Sequence, residues 1–200
     1  GCTASSIADA GSKCATASAW DVFRARERIE CSAGADCTVD CAANSCRDKV
    51  VVCAPGYNCD VQCGDSSSAC SNTWICGIEA TDVTFATGTD SNLYTFPQIM
   101  CGSGACTAVC TGHRNYVCSS MVVLGGTASS LTVVVQDDGD EPRVGLGGAS
   151  AQVKCPSGGT CKVLCGSEDD QHPGTNSLCS GMQIDAEGTD VGSLEVVCGG

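Results

Sequence analysis

The chain has 200 residues, a formal net charge of −13 and twenty cysteines. So acidic a composition disfavours nucleic acid and anionic membrane, which are bound through clustered Lys and Arg, and no 18-residue apolar run offers a membrane span. Charged residues are too sparse, and Val, Ile, Leu and Cys too plentiful, for a disordered chain.

Residues 1–30 read as an N-terminal segment or cap, with a short helix or cap expected around 18–29. Gly1 stands where a Met or signal peptide would, so a processed mature form is expected. Cys2 with Cys14 is the easy local disulfide, and Arg24, Arg26 and Arg28 read as a solvated face. From 31 to 200 one order recurs: a Gly-bearing turn, a Cys-x-Val-x-Cys strand, a polar loop and an apolar strand. It is seen in CAPGYNCDVQCGDSSSACSNTWIC from Cys53, and again from Cys31, Cys101 and Cys155. Self-similarity at about 22 to 25 residues marks a stacked-repeat architecture.

Two strand types carry the repeat, because alternate residues of a strand share a face. Type A reads Cys37-Val39-Cys41, Cys59-Val61-Cys63, Val83-Phe85-Thr87, Cys106-Ala108-Cys110, Leu131-Val133-Val135, Cys161-Val163-Cys165 and Leu194-Val196-Cys198. Type B reads Ile29-Cys31, Val51-Cys53, Trp74-Cys76, Ile99-Cys101, Met121-Val123, Val153-Cys155 and Met182-Ile184. The B-to-A corner carries Gly34, Gly56, Gly104 and Gly158, read as positive-φ positions. A third inward column runs Cys46, Cys70, Leu93, Cys118, Leu146 and Cys179. The expected fold is all-β: a disulfide-rich parallel β-solenoid (β-helix) of about seven coils, right-handed by the crossover rule. Acidic insertions are expected at 136–150 and 166–177.

The cysteines fall into four quartets: Cys31, Cys37, Cys41, Cys46; Cys53, Cys59, Cys63, Cys70; Cys101, Cys106, Cys110, Cys118; and Cys155, Cys161, Cys165, Cys179. Close CxxC or HxxxH pairs are absent, so disulfides in an extracellular or secreted, cell-surface setting are expected over zinc. The second and third members lie about 13 Å apart along a strand, too far to bridge. Two pairings remain: first–second with third–fourth, in which each bridge clips a corner, or first–third with second–fourth. Cys76 and Cys198, about 19 Å apart at the inter-strand spacing, should not meet. One of them breaks the quartet rule or reaches a neighbouring molecule.

The outward positions carry the functional expectation. One A column reads Asp40, Gln62, Ala86, Val109, Val134, Leu164 and Val197, and a B column reads Glu30, Val52, Ile75, Met100 and Lys154. Contiguous apolar surface marks a partner site unless a terminal segment covers it. The final A strand lacks a polar cap and suggests head-to-tail stacking. Val109, Val134, Leu164 and Val197 are therefore the lateral assembly candidates, with Cys198, Cys2 and Cys14 at the ends. The partner is itself, as a homopolymer, or another surface or wall protein.

No cofactor is expected. Asp137, Asp138, Asp140 and Glu141 with Glu168, Asp169 and Asp170 form a weak Ca²⁺ candidate, against the plainer reading of solvated acidic loops. No Ser-His-Asp set, GxSxG or phosphate loop is visible, so the chain reads as no enzyme.

The phrases CAPGYNCDVQCGDSSSACSNTWIC and KCPSGGTCKVLC resemble cysteine-rich repeats of secreted algal and protist surface proteins, of the cell-wall or flagellar-hair (mastigoneme) type. The likeness covers about residues 31–124 and 153–198 and implies an extracellular structural subunit of a filament or sheath, with no catalytic residues. Flat disulfide-clipped solenoids also resemble insect antifreeze proteins. Here the column Thr38, Asp60, Thr84, Thr107, Thr132, Lys162 and Glu195 holds four threonines, so ice binding is the alternative. Carbohydrate adhesion is a third, with Trp20, Trp74, Tyr57, Tyr94 and Tyr116 as its aromatics.

Overall fold

A computed structural model describes residues 26–42, 45–65, 68–88, 97–112, 118–136, 150–166, 179, 181–186 and 190–198. Among them are fourteen strands and no helix. The first five are β1 (Arg28–Glu30), β2 (Cys37–Cys41), β3 (Val50–Val52), β4 (Cys59–Cys63) and β5 (Trp74–Cys76). Then come β6 (Val83–Thr87), β7 (Gln98–Met100), β8 (Ala105–Thr111), β9 (Val122–Leu124) and β10 (Ser130–Gln136). The last four are β11 (Gln152–Lys154), β12 (Thr160–Cys165), β13 (Gln183–Asp185) and β14 (Ser193–Cys198). Odd strands form one seven-stranded parallel sheet in chain order and even strands form a second. We call these the B sheet and the A sheet. β1 falls within 1–30 and is paired with β3.

The A strands stack without a slip. Val39, Val61, Phe85, Ala108, Val133, Val163 and Val196 form one column across all seven strands. Their side chains point between the sheets, and Phe85 and Val133 are wholly buried. Phe85 stands beside Ala108, so the one large ring is accommodated by the smallest neighbour in its column.

The B strands depart from the sequence reading in phase at β5 alone, and in column alignment, by two residues on the same face, at β9 and β13. The inward column is Ile29, Val51, Ile75, Ile99, Val123, Val153 and Ile184. Trp74 and Cys76 therefore face outward and Ile75 inward, while Met121 and Met182 precede their strands. Trp-Ile-Cys is apolar at every position, so alternation sets no phase, and a slip of one residue exchanges the faces. Met121, two residues before Val123, keeps the inward side and is wholly buried.

Each quartet closes first to second and third to fourth: Cys31–Cys37 and Cys41–Cys46, Cys53–Cys59 and Cys63–Cys70, Cys101–Cys106 and Cys110–Cys118, Cys155–Cys161 and Cys165–Cys179. Where the first clip is missing, a small residue takes the first place and an aliphatic the second. The pairs are Gly77 with Val83, Gly125 with Leu131, and Ala186 with Leu194. A Cβ added to Gly77 would stand 3.5 Å from Val83 Cβ and 2.3 Å from its Cγ2. The first spacing is that of a bridged pair, so the valine branch lies where sulfur would.

The corners differ in kind. Gly34, Gly56 and Gly158 have positive φ, as read from sequence. Gly104 does not. A Cβ there would meet Asp82 Oδ1 at 2.2 Å and the Thr81 carbonyl oxygen at 2.7 Å, so close approach is what requires glycine. The Asp82 carboxylate occupies that space to accept the Ala105 amide at 2.7 Å. Asp36 accepts Asn58 N–H similarly at 2.9 Å, joining successive repeats at their exposed corners.

Candidate functional site

The A sheet builds an outward face from the same alternation that fills its interior. Asp40, Gln62, Ala86, Val109, Val134, Leu164 and Val197 lie in one unbroken register. The last five, apolar and half-buried, form a row about 19 Å long at the usual strand spacing. Beside it run Thr38, Asp60, Thr84, Thr107, Thr132, Lys162 and Glu195. Thr84, Thr107 and Thr132 are thus consecutive across three strands. Polar groups close both ends: Gln62 Nε2 donates to Asp60 Oδ1 at 2.5 Å, and Lys162 Nζ lies 3.5 Å from Glu195 Oε1. The row itself is apolar from β6 to β14, and the column beside it is threonine on β6, β8 and β10 and charged on β4, β12 and β14.

The B sheet has a second outward apolar patch, of which the sequence reading placed Val52 and Met100 but, through the slipped phase of β5, put Ile75 where Cys76 stands. Its columns are Val50, Trp74, Gln98, Val122 and Val52, Cys76, Met100, Leu124. Val50, Cys76 and Met100 are buried, with Val52, Trp74, Ile78 and Leu124 packed beside them. Ile75, expected in this outward column, is instead fully buried between the sheets. The signal that could have found the phase is Gly77, whose lack of a side chain suits the crowded inward place following β5.

At the β14 edge, Leu194 and Val196 are 48% and 46% exposed. Their column neighbours on β12, Cys161 and Val163, are 1% and 0%. Cys198, in register with Cys165, carries an exposed free thiol. Cys76 is disulfide-bonded, so the two do not pair with each other.

Other expected sites lie outside the described residues: Cys2 and Cys14, the acidic residues Asp137, Asp138, Asp140, Glu141, Glu168, Asp169 and Asp170, and the inward Leu93 and Leu146. Among the described residues no group of His, Cys, Asp and Glu could hold a metal ion, and no helix is long and apolar enough to cross a membrane. Of the candidate aromatics, Tyr57 is exposed in a corner and Trp74 is half-buried on the B sheet, while Trp20, Tyr94 and Tyr116 lie outside the described residues. The density of bridges marks an oxidising environment. Comparison with family models, curated proteins and solved structures returns no match.

Proposed function

We propose that the two sheets are the walls of a right-handed, disulfide-clipped β-solenoid, secreted to the cell surface. It serves there as a non-enzymatic structural subunit of a filament or sheath of the algal and protist surface type. The observation that carries this reading is the in-register apolar row Ala86, Val109, Val134, Leu164 and Val197 on the A sheet. Contiguous apolar surface of this sort marks a contact with another protein. Lengthwise contact in this reading is made at β14 through Leu194 and Val196, with Cys198 beside the joint.

Magnitude argues that the two contacts work together. A row about 19 Å long and about 10 Å wide offers roughly 200 Å² per partner, far below the ~800 Å² per side of a stable interface. One subunit pair is therefore weak laterally. A lengthwise array repeats the row along a continuous face, and the second contact then forms at high effective concentration.

Negative-stain microscopy of the protein at increasing concentration tests this. Fibres are expected for the native chain, and single unbundled filaments for Val134→Asp. Dispersed monomers at every concentration, or bundling unchanged in the variant, would count against it. A second reading, ice binding, is favoured by the consecutive Thr84, Thr107 and Thr132 on a parallel sheet. Thermal hysteresis from dispersed monomers, lost in Thr107→Glu, would select it instead.

A further inference from the structure

The outer surface of the B sheet is buried in a way that its own strands do not explain. On an open sheet, neighbouring strands shade the flanks of a side chain but leave its tip in solvent. That is the condition of the half-buried row on the A sheet. On the B sheet, Val50 is 7% exposed, Cys76 9% and Met100 5%, although all three point away from the interior. The described residues packed against them, Val52, Trp74, Ile78 and Leu124, belong to the same sheet or directly follow β5.

Cys76 adds a covalent observation. It is disulfide-bonded, and its partner is none of the sixteen cysteines in the eight described bridges. Nor is it Cys198, whose thiol is free. Of the twenty cysteines, only Cys2 and Cys14 remain. A third observation places the entry of the chain beside this face: Arg26 Nη1 donates to the Asn72 carbonyl oxygen at 2.7 Å, two residues before β5.

We infer that the outer face of the B sheet is the docking site of residues 1–25 of the same chain, locked by a disulfide from Cys76 to Cys2 or Cys14. The segment has suitable chemistry, with Ile7, Trp20, Val22 and Phe23 as apolar groups for the patch. Its length is ample: the twelve residues from Cys14 to Arg26 can span about 40 Å, whereas β3 to β9 cover about 14 Å. The two outer faces are then inequivalent, one closed by the chain itself and the other open. The lock is independent of the assembly reading, and its failure would leave the A-sheet row untouched.

Disulfide mapping tests the lock directly. Free thiols are blocked at acid pH, and the unreduced protein is digested with trypsin, which separates Cys2 (residues 1–13) from Cys14 (residues 14–24). Covalent attachment of one of these peptides to residues 50–114 is expected. Peptides 1–13 and 14–24 joined to each other would overturn the inference. Docking is read separately through methionine oxidation by peroxide. Met100 should resist in the native protein and oxidise several-fold faster in Cys76→Ser, which should also show one additional labelled thiol within residues 1–24. Rapid oxidation of Met100 in the native protein would mean that the face is open.

Discussion

The smallest residues of the chain occupy two physically different kinds of place. Gly56 has φ +75° and open space around its α-carbon, whereas a Cβ on Gly77 would lie 2.6 Å from the Met100 carbonyl oxygen and 2.3 Å from Val83 Cγ2. Alanine at 56 therefore meets only the left-handed backbone cost, about 1–2 kcal/mol. Alanine at 77 must displace backbone of the next strand, an overpacking penalty of about 3 kcal/mol or more. Denaturant midpoints with all bridges intact should fall further for Gly77→Ala than for Gly56→Ala. Equal shifts would mean that the Gly77–Val83 packing is looser than described. Thr87 occupies a cysteine column and makes a different kind of tie. It stands in the third column beside Cys63, and its hydroxyl donates to the Thr111 carbonyl oxygen at 3.0 Å and accepts the Thr111 amide at 2.9 Å. These bonds tie β6 to β8, neighbouring strands of one sheet, whereas each described bridge closes within a single repeat.

At the scale of one strand with its corner, the bridges act on loops of very different length. Cys41–Cys46 has a sequence separation of 5 and Cys165–Cys179 one of 14. In the chain-entropy picture the shorter is worth about 2 kcal/mol and the longer about 3 kcal/mol. The double variant Cys165→Ala/Cys179→Ala should therefore lose more stability than Cys41→Ala/Cys46→Ala, by about 0.8 kcal/mol. Unfolding in guanidinium without reductant measures the difference, and the reverse order would show that native-state strain governs instead. The A strands were legible because each has five or more residues and a polar residue between its first two inward places, as in Cys-Asp-Val-Gln-Cys and Leu-Thr-Val-Val-Val. The B strands have only three residues each, and in β5, apolar throughout, so short a pattern left the phase unset.

For the whole molecule, the bridges carry the stability that a thin interior lacks. Eight described bridges at about 2–3 kcal/mol each total about 20 kcal/mol, more than the ~5–15 kcal/mol by which domains are normally stable. Full reduction should thus abolish the fold rather than weaken it. The β-sheet circular dichroism signal should disappear in dithiothreitol at room temperature and return on reoxidation. A reduced chain that kept its spectrum would mean that hydrophobic packing alone suffices. If one face is closed by the N-terminal segment, filaments built from this subunit have a single adhesive side, and lateral association through the A-sheet row stops at pairs.

The spacing of the cysteines and the alternation of the A strands, by themselves, determined the all-β class, the seven-fold repeat of two strand types and the composition of the A-sheet faces. These are local properties: a period of two needs only neighbouring residues to be recognised. The phase of β5, the choice between two disulfide pairings and the burial of the Cys76 patch were decided only in three dimensions. Each depends on which atoms lie within a few ångströms across strands more than twenty residues apart, and a pattern of apolar residues carries no record of that distance.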